Sequence, residues 1–182
     1  MGDWWMEIHR GRRREVKYKV ISEKQPWAYL ICSGIKDIEN RMYKCPQKYI
    51  GQRVLIHAGA EKMKGIEGDY FNEDQIRHLY CGHTPLEELH KYHSMRELYS
   101  AIIGSVEIVD CVVNHPSIWA EKSEPIEFDE FGFPIKYDKK IYNWVLANPI
   151  LFDKPILNVE GKMVFWDYDL PEEYYGLILR RE

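Results

Sequence analysis

The chain has 182 residues, the length of a single domain, and can bury about two thirds of its unfolded surface, so folding requires neither disulfides nor a metal. Its net charge of -4 excludes a polycation that binds nucleic acid through bulk charge, so any nucleic-acid contact must come from a local patch. Four cysteines without a CxxC pair, and no apolar run near the ~20 residues of a membrane span, predict a soluble cytoplasmic protein with reduced thiols.

Residues 1–15 differ from the rest of the chain and are predicted to form a basic N-terminal arm. Their positive charge is concentrated in the run RGRRR at positions 10–14. Such a run can contact phosphates, and it is also typical of a solvated leader. Trp4 and Trp5 argue against a purely solvated segment, because exposed paired tryptophans usually pack against something. Residues 16–182 then form one domain.

The first elements of that domain are a strand, a short helix and two further strands. Residues 16–21 alternate apolar side chains with lysines, which is the period of a half-buried strand. Pro26 suits the first turn of a helix over residues 27–32, and Gly34 is placed to end it in a left-handed conformation. We predict a charged strand at residues 37–43 and a more buried one at residues 53–58.

A helical insertion is predicted over about residues 70–100, with an interruption at Cys81-Gly82. Thr84 and Glu87 have the spacing of a capping box, with Pro85 at the first helical position. A long strand is predicted over residues 102–113, in which Gly104 would allow a bend or bulge.

The last third of the chain is predicted to hold an acidic loop, two short strands and a short helix. The loop covers about residues 121–140, where positions 121–138 carry six acids and two lysines. The strands are placed at residues 142–146 and 163–166, and the helix at residues 172–179. Many short strands with few βαβ alternations predict an α+β fold, and a small, partly closed barrel would hide the strand edges.

The segment QPWAYLICSGIKDIENR at positions 25–41 holds the main candidate site. Glu39 and Arg41 are two residues apart on a predicted strand, so their side chains share one face, and Lys36 lies just before them. On an outward face they would form a solvated ion pair of little energetic consequence. In a pocket, a carboxylate beside two cations would suit a base edge with a phosphate or ribose. The residues alone leave both interpretations open.

The same segment, followed by the strand GQRVLIHAGA, resembles the ASCH family of PUA-like domains. The family pattern runs from a Gln-Pro-Trp helix through Gly-x-Lys-x-x-Glu-x-Arg into a strand that ends in histidine. In this chain the pattern falls on Gln25, Pro26, Trp27, Gly34, Lys36, Glu39, Arg41 and His57. The segments GSVEIVDCV and YNWVLANP also resemble the family, so the resemblance covers roughly residues 17–166.

The resemblance implies a PUA-like mixed β-barrel of about five to seven strands with flanking helices. It implies a ligand that is RNA, single-stranded DNA or a modified nucleotide, with no cofactor, no metal and no membrane contact. Trp27 and Trp144 become candidate stacking faces, Lys36 and Arg41 candidate donors, and Glu39 a candidate base-edge acceptor. The expected nucleotide-binding residues are Trp27, Lys36, Glu39, Arg41, His57, Trp144, Asn148 and Lys162.

An enzyme acting in the same cleft is the alternative function. Some relatives in the resembled family are amidohydrolases that act on acetylated cytidine, and these carry Thr where this chain has Glu39. The catalytic residues are therefore unknown, although Lys36, Glu39 and Arg41 could do general acid–base work on a water or serve a metal-free ribonuclease. A protein-interaction module that uses the N-terminal arm and the acidic loop is a third possibility.

Several histidines and a cysteine raise the question of a metal site. The residues are His78, Cys81, His83, His90 and His93, and their spacing matches no zinc-finger pattern. We therefore expect exposed helical histidines and no metal. His57 ends a buried strand, where it is either a satisfied core histidine or a member of the site.

Overall fold

The computed structural model describes residues 17–64, 70–81 and 84–178, which contain eight strands and four α-helices. The strands are Lys17–Glu23 (β1), Ile38–Arg41 (β2), Gln52–Ala58 (β3), Ala101–Val112 (β4), Pro125–Phe128 (β5), Pro134–Tyr137 (β6), Tyr142–Leu157 (β7) and Trp166–Asp169 (β8). The helices are Trp27–Cys32 (α1), Glu73–Tyr80 (α2), Leu86–Met95 (α3) and Tyr175–Ile178 (α4). The predicted arm at residues 1–15 lies outside the described residues.

Six of these strands form one mixed sheet in the order β2-β7-β4-β3-β1-β8. Strands β1 and β3 are parallel, with Val20 opposite Leu55, and all other neighbours in the sheet are antiparallel. Strand β1 runs from the exposed Lys17 to the buried Val20, Ile21 and Glu23, so its burial does not follow the strict alternation that the sequence predicts. The α+β prediction is therefore confirmed, as a mixed sheet with helices packed against it.

The predicted barrel is not confirmed. Strands β2 and β8 are the two edges of the sheet, and no backbone ladder joins them within the described residues. A side chain bridges part of the gap instead, because the Arg41 guanidinium donates to the Ser22 carbonyl oxygen at 3.3 Å and contacts the Glu23 carboxylate. The opening between β1 and β2 is thus spanned by polar side chains, which concentrates charge at this place.

Helix α1 lies in the main core and carries the candidate segment onto the sheet. Its residues Ala28, Tyr29, Leu30, Ile31 and Cys32 are all buried, and the Gln25 side-chain oxygen accepts a hydrogen bond from the Tyr29 backbone N–H at 3.2 Å, so packing and this bond stabilise so short a helix. Gly34 ends it with a φ of +81°, as predicted. The chain then turns into β2, which pairs with β7.

Two local predictions about the helices are corrected by the structure. Pro85, and not Thr84, precedes α3, and it makes no capping hydrogen bond. Its extended conformation keeps Thr84 outside the helix, and the Thr84 hydroxyl donates to the His78 carbonyl oxygen at 3.2 Å. The capping box is found in α2 instead, between Asn72 and Gln75.

Two predictions about the last strands are also wrong. Strand β7 continues well beyond the predicted strand at residues 142–146, to a length of sixteen residues, because the long strand β4 offers it a partner. Register shifts absorb Asn148, whose φ is +49°, and Pro149, residues that a regular ladder would not accommodate. The predicted acidic loop contains the β5–β6 hairpin. Strand β8 begins at Trp166, three residues later than predicted.

Within the described residues, no helix is long and apolar enough to cross a membrane.

The predicted helical insertion corresponds to α2 and α3, and Leu79 of α2 and Tyr92 of α3 join the main core.

Candidate functional site

A cleft of about 490 Å³ opens beside β2, and we call it the β2 cleft. It is lined by the start of α1, by β2 and the turn before it, by the region around the first turn of α2, and by residues 118–122. Three predicted site residues line this cleft, namely Trp27, Lys36 and Glu39. The volume falls in the range of about 300–1,000 Å³ that is typical of small-molecule sites.

Lys36, Glu39 and Arg41 form a continuous chain of ion pairs. Lys36 Nζ lies 3.1 Å from Glu39 Oε2, and Arg41 Nε lies 3.0 Å from Glu39 Oε1. The Lys36 side chain is 4% exposed and that of Glu39 is 9% exposed, which excludes the solvated ion pair that the sequence left open. Lys36 also donates to the Ile38 carbonyl oxygen. An ammonium has three donors, so these contacts leave one for a ligand.

Glu23 adds a fourth charged group that the sequence analysis did not include in the site. It lies at the end of β1, is 7% exposed, and contacts Arg41. Burial and the neighbouring Glu39 carboxylate raise the pKa of Glu23 well above its ordinary value, although Arg41 opposes the shift. Lys36 and Arg41 thus face the carboxyl groups of Glu39 and Glu23, and burial together with the Glu39 charge opposes ionisation of Glu23.

Side-chain amides fix the wall opposite β2. Asn40 donates to the Trp119 carbonyl oxygen at 2.9 Å, and its own oxygen accepts from the Glu121 backbone N–H at 3.1 Å. The buried Asn143 donates to Asn40 at 2.9 Å and thereby orients it. Gln75 donates to the Ile118 carbonyl oxygen at 2.9 Å, which ties α2 to the same wall. The β2 cleft is therefore held in shape by hydrogen bonds, of which those from Asn40 to Trp119 and from Asn143 to Asn40 are half-buried.

The two predicted stacking residues lie in different environments. Trp27 is half-buried, lines the β2 cleft and packs edge-to-face against Phe71 with ring centroids 5.1 Å apart. Lys36 Nζ lies 5.6 Å from the Trp27 ring centroid. Trp144 is 0% exposed, and its ring is stacked on Phe165 at 5.4 Å. Trp27 is thus available to a ligand, whereas Trp144 belongs to the core beneath Arg41.

The remaining predicted residues lie away from the β2 cleft. His57 is buried, with Nε2 2.9 Å from the Val159 carbonyl oxygen and Nδ1 3.2 Å from Ser22 Oγ. Burial lowers the pKa of His57, although its hydrogen bond with the Val159 carbonyl oxygen opposes the shift. Lys162 is exposed, with its ammonium 5.9 Å from the Trp166 ring centroid. Asn148 is exposed and lines a different groove.

The cleft also contains residues that sequence reasoning did not select. Trp119 lies just before the predicted acidic loop, Glu121 and Lys122 lie at its start, and Asn72 and Gln75 come from the predicted helical insertion. No local pattern marks them, because each reaches the cleft through contacts between distant segments. Asn40 is the exception, because its place between Glu39 and Arg41 in the motif could have indicated that it lies at the cleft.

The histidines of α2 and α3 do not form a metal site in the part of the chain that is described. No group of three or more His, Cys, Asp or Glu side chains there could hold a metal ion. His83 lies outside the described residues.

Comparisons with known proteins agree with the resemblance seen in the sequence. The ASCH domain family matches residues 21–156, which is most of the chain. The crystal structure of ASCH from Zymomonas mobilis is similar, with a TM-score of 0.45 and 16% identity over 88% of this chain and 92% of that one. The crystal structure of a tyrosine-to-phenylalanine mutant of the same protein has a TM-score of 0.44 and 15% identity, over 88% of this chain and 95% of that one. No curated protein matches. The chain belongs to the ASCH domain family.

Proposed function

We propose that the protein binds RNA, single-stranded DNA or a modified nucleotide, with one nucleotide held in the β2 cleft. The observation that carries the proposal is the buried Lys36–Glu39 pair, joined to the half-buried Arg41, beside the half-buried ring of Trp27. Burying charged side chains costs several kcal/mol per ion, which pairing only partly offsets, so such a cluster at a cleft is a poor choice for stability alone. Membership of the ASCH family, whose PUA-like relatives are generally nucleic-acid binders, supports the same ligand class.

Each contact has a defined role in this proposal. The Trp27 ring stacks on a base, a contact worth about 1–3 kcal/mol. Lys36 gives its remaining N–H to a phosphate or a base carbonyl oxygen, and Glu39 accepts from an exocyclic amino group through its unused lone pairs. Arg41 holds Glu39 in position and makes no direct contact with the ligand. Trp144 supports Arg41 from below.

The test is a binding titration of fluorescently labelled single-stranded RNA and DNA against Trp27→Ala and Lys36→Gln. We expect both changes to weaken binding, Trp27→Ala by about tenfold or more, in keeping with the loss of one stacked base. Phe131→Ala is the matched control, because Phe131 is an exposed aromatic residue outside the cleft. Unchanged affinity in both cleft variants, with folding verified by thermal unfolding, would remove the β2 cleft from the function.

A hydrolase is the second candidate function, and the Glu23–Glu39 pair is the observation that favours it. One carboxyl with a raised pKa beside a second, ion-paired carboxylate is an arrangement found in acid–base catalysis. In an amide hydrolysis, Glu39 would take a proton from a water molecule while the water oxygen attacks the acyl carbon. Glu39 would then give that proton to the leaving nitrogen as the C–N bond breaks. An RNA phosphodiester is the other substrate class.

Product analysis tests this candidate. The protein is incubated with N-acylated nucleosides and with RNA, and the products are separated by chromatography. Turnover that is lost in Glu39→Gln and kept in the exposed control Glu61→Gln would support the hydrolase. Absence of turnover on both substrates, or turnover that survives Glu39→Gln, would contradict it.

A further inference from the structure

A second and larger groove, of about 1260 Å³, lies on another part of the molecule. We call it the basic groove, because four cations line it, Lys17, Lys19, Lys48 and Arg53, together with Glu107 and Asn148. It shares no lining residue with the β2 cleft. This concentration of positive charge contrasts with the net charge of -4 for the whole chain.

The carboxylates near the basic groove are neutralised by neighbours. Glu107 Oε1 lies 2.9 Å from Arg53 Nη2, and the Asn148 amide donates to Glu107 Oε2 at 2.9 Å. Asp167 is held by Lys19 at 2.7 Å. Lys17 and Lys48 have no ion-pair partner within the described residues. Their charges are therefore available to an anion.

Residues that are far apart in the sequence meet at this groove. Lys17 of β1 and Ile178 of α4 both line it.

We propose that the basic groove binds the sugar–phosphate backbone of a single-stranded nucleic acid, with Lys17 and Lys48 on its phosphates. This inference rests on the proposed function, since it assigns the backbone of the same ligand to a second surface. A polyanion with regularly repeated charges suits a groove with cations distributed along it better than a single phosphate does. Gln52, Asn148 and the hydroxyl of Tyr18 supply donors and acceptors for sugar oxygens.

The experiment compares two probes on the full chain, a nucleoside monophosphate and a single-stranded RNA of about 12 nucleotides, a length within the usual site sizes of such proteins. The variant is Lys17→Gln with Lys48→Gln. We expect it to weaken binding of the longer RNA, and to lower the slope of log affinity against log salt by about 1.4, or about 0.7 for each lost phosphate contact. Binding of the monophosphate should not change.

The matched control is Lys91→Gln with Lys154→Gln, which removes the same charge from exposed positions outside the groove. Equal weakening by both double variants would mean that only net charge matters, and would overturn the proposal. Competition by polyglutamate as strong as by unlabelled RNA would also overturn it, by assigning the groove to acidic proteins. If Lys36→Gln has no effect while the groove variant weakens RNA binding, the cleft proposal fails and the groove proposal stands. If Lys36→Gln weakens RNA binding while the groove variant has no effect, the groove proposal fails and the cleft proposal stands.

Discussion

Arg41, the last residue of edge strand β2, contacts Glu23, the last residue of β1, across the opening of the sheet. The two strands have no backbone ladder between them, so this ion pair and the bond from Arg41 to the Ser22 carbonyl oxygen hold the opening together. The same guanidinium positions Glu39 in the β2 cleft. One side chain, Arg41, therefore both bridges the opening of the sheet and contacts Glu39 of the candidate site.

Arg41→Met should destabilise the fold strongly. It leaves the buried Glu39 with Lys36 alone and removes the bridge to β1, and breaking a buried ion pair typically costs about 3–5 kcal/mol. The measurement is the free energy of unfolding in urea. Arg77→Met is the control, because the Arg77–Asp74 pair is exposed and such pairs contribute about 0–1 kcal/mol. Equal losses in the two variants would contradict the bridging role.

Stability should fall as pH rises because of Glu23. Its pKa is raised in the folded state, so folded Glu23 holds its proton at pH values where the unfolded chain has lost it. By linkage, the free energy of unfolding decreases from the ordinary glutamate value of 4.5 upward, through the raised folded pKa. Urea unfolding across this pH range should give a flatter profile for Glu23→Gln. Glu61→Gln should leave the decline in place, and a decline that Glu23→Gln does not alter would contradict the assignment.

Gly104→Ala should destabilise the protein by about 1–3 kcal/mol or more, the usual cost of overpacking. An added Cβ would lie 2.2 Å from the Ile150 carbonyl oxygen of β7 and 2.7 Å from Cys32 Sγ of α1. The Ile150 carbonyl oxygen belongs to the backbone and cannot rotate away as the end of a flexible side chain can. Strand β7 would therefore have to shift, and the contact with Cys32 would push α1 from the sheet. Gly176→Ala is the control, since no atom lies within 4 Å of its added Cβ. Thermal unfolding measures both variants.

The two tryptophans should separate binding from stability. Trp144→Ala removes a fully buried ring and should cost about 3–5 kcal/mol of folding free energy. Trp27→Ala truncates a half-buried ring and should act mainly on nucleotide affinity. Urea unfolding and RNA titration of both variants measure the two effects. Loss of affinity in a folded Trp144 variant with normal binding by Trp27→Ala would reverse the two roles.

Much of the local structure was predictable. The position of β1, the buried run of β3 and the Gly34 end of α1 depend on neighbours in sequence, and all three are found where the sequence places them within a few residues. The length of β7 was not predictable from its own residues. Asn148 and Pro149 read as a turn, and only the ladder with β4 makes them a bulge within one strand.

For the candidate site, the sequence by itself determined that Lys36, Glu39 and Arg41 lie close together, because six residues around one turn allow little else. Whether they were solvated or buried was decided by the tertiary structure, since burial depends on what distant segments cover. Trp27, Gln75 and Trp119 reach the cleft from three places along the chain. The meeting of Lys17 and Ile178 at the basic groove is likewise a tertiary fact, because β1 and α4 are adjacent only after folding.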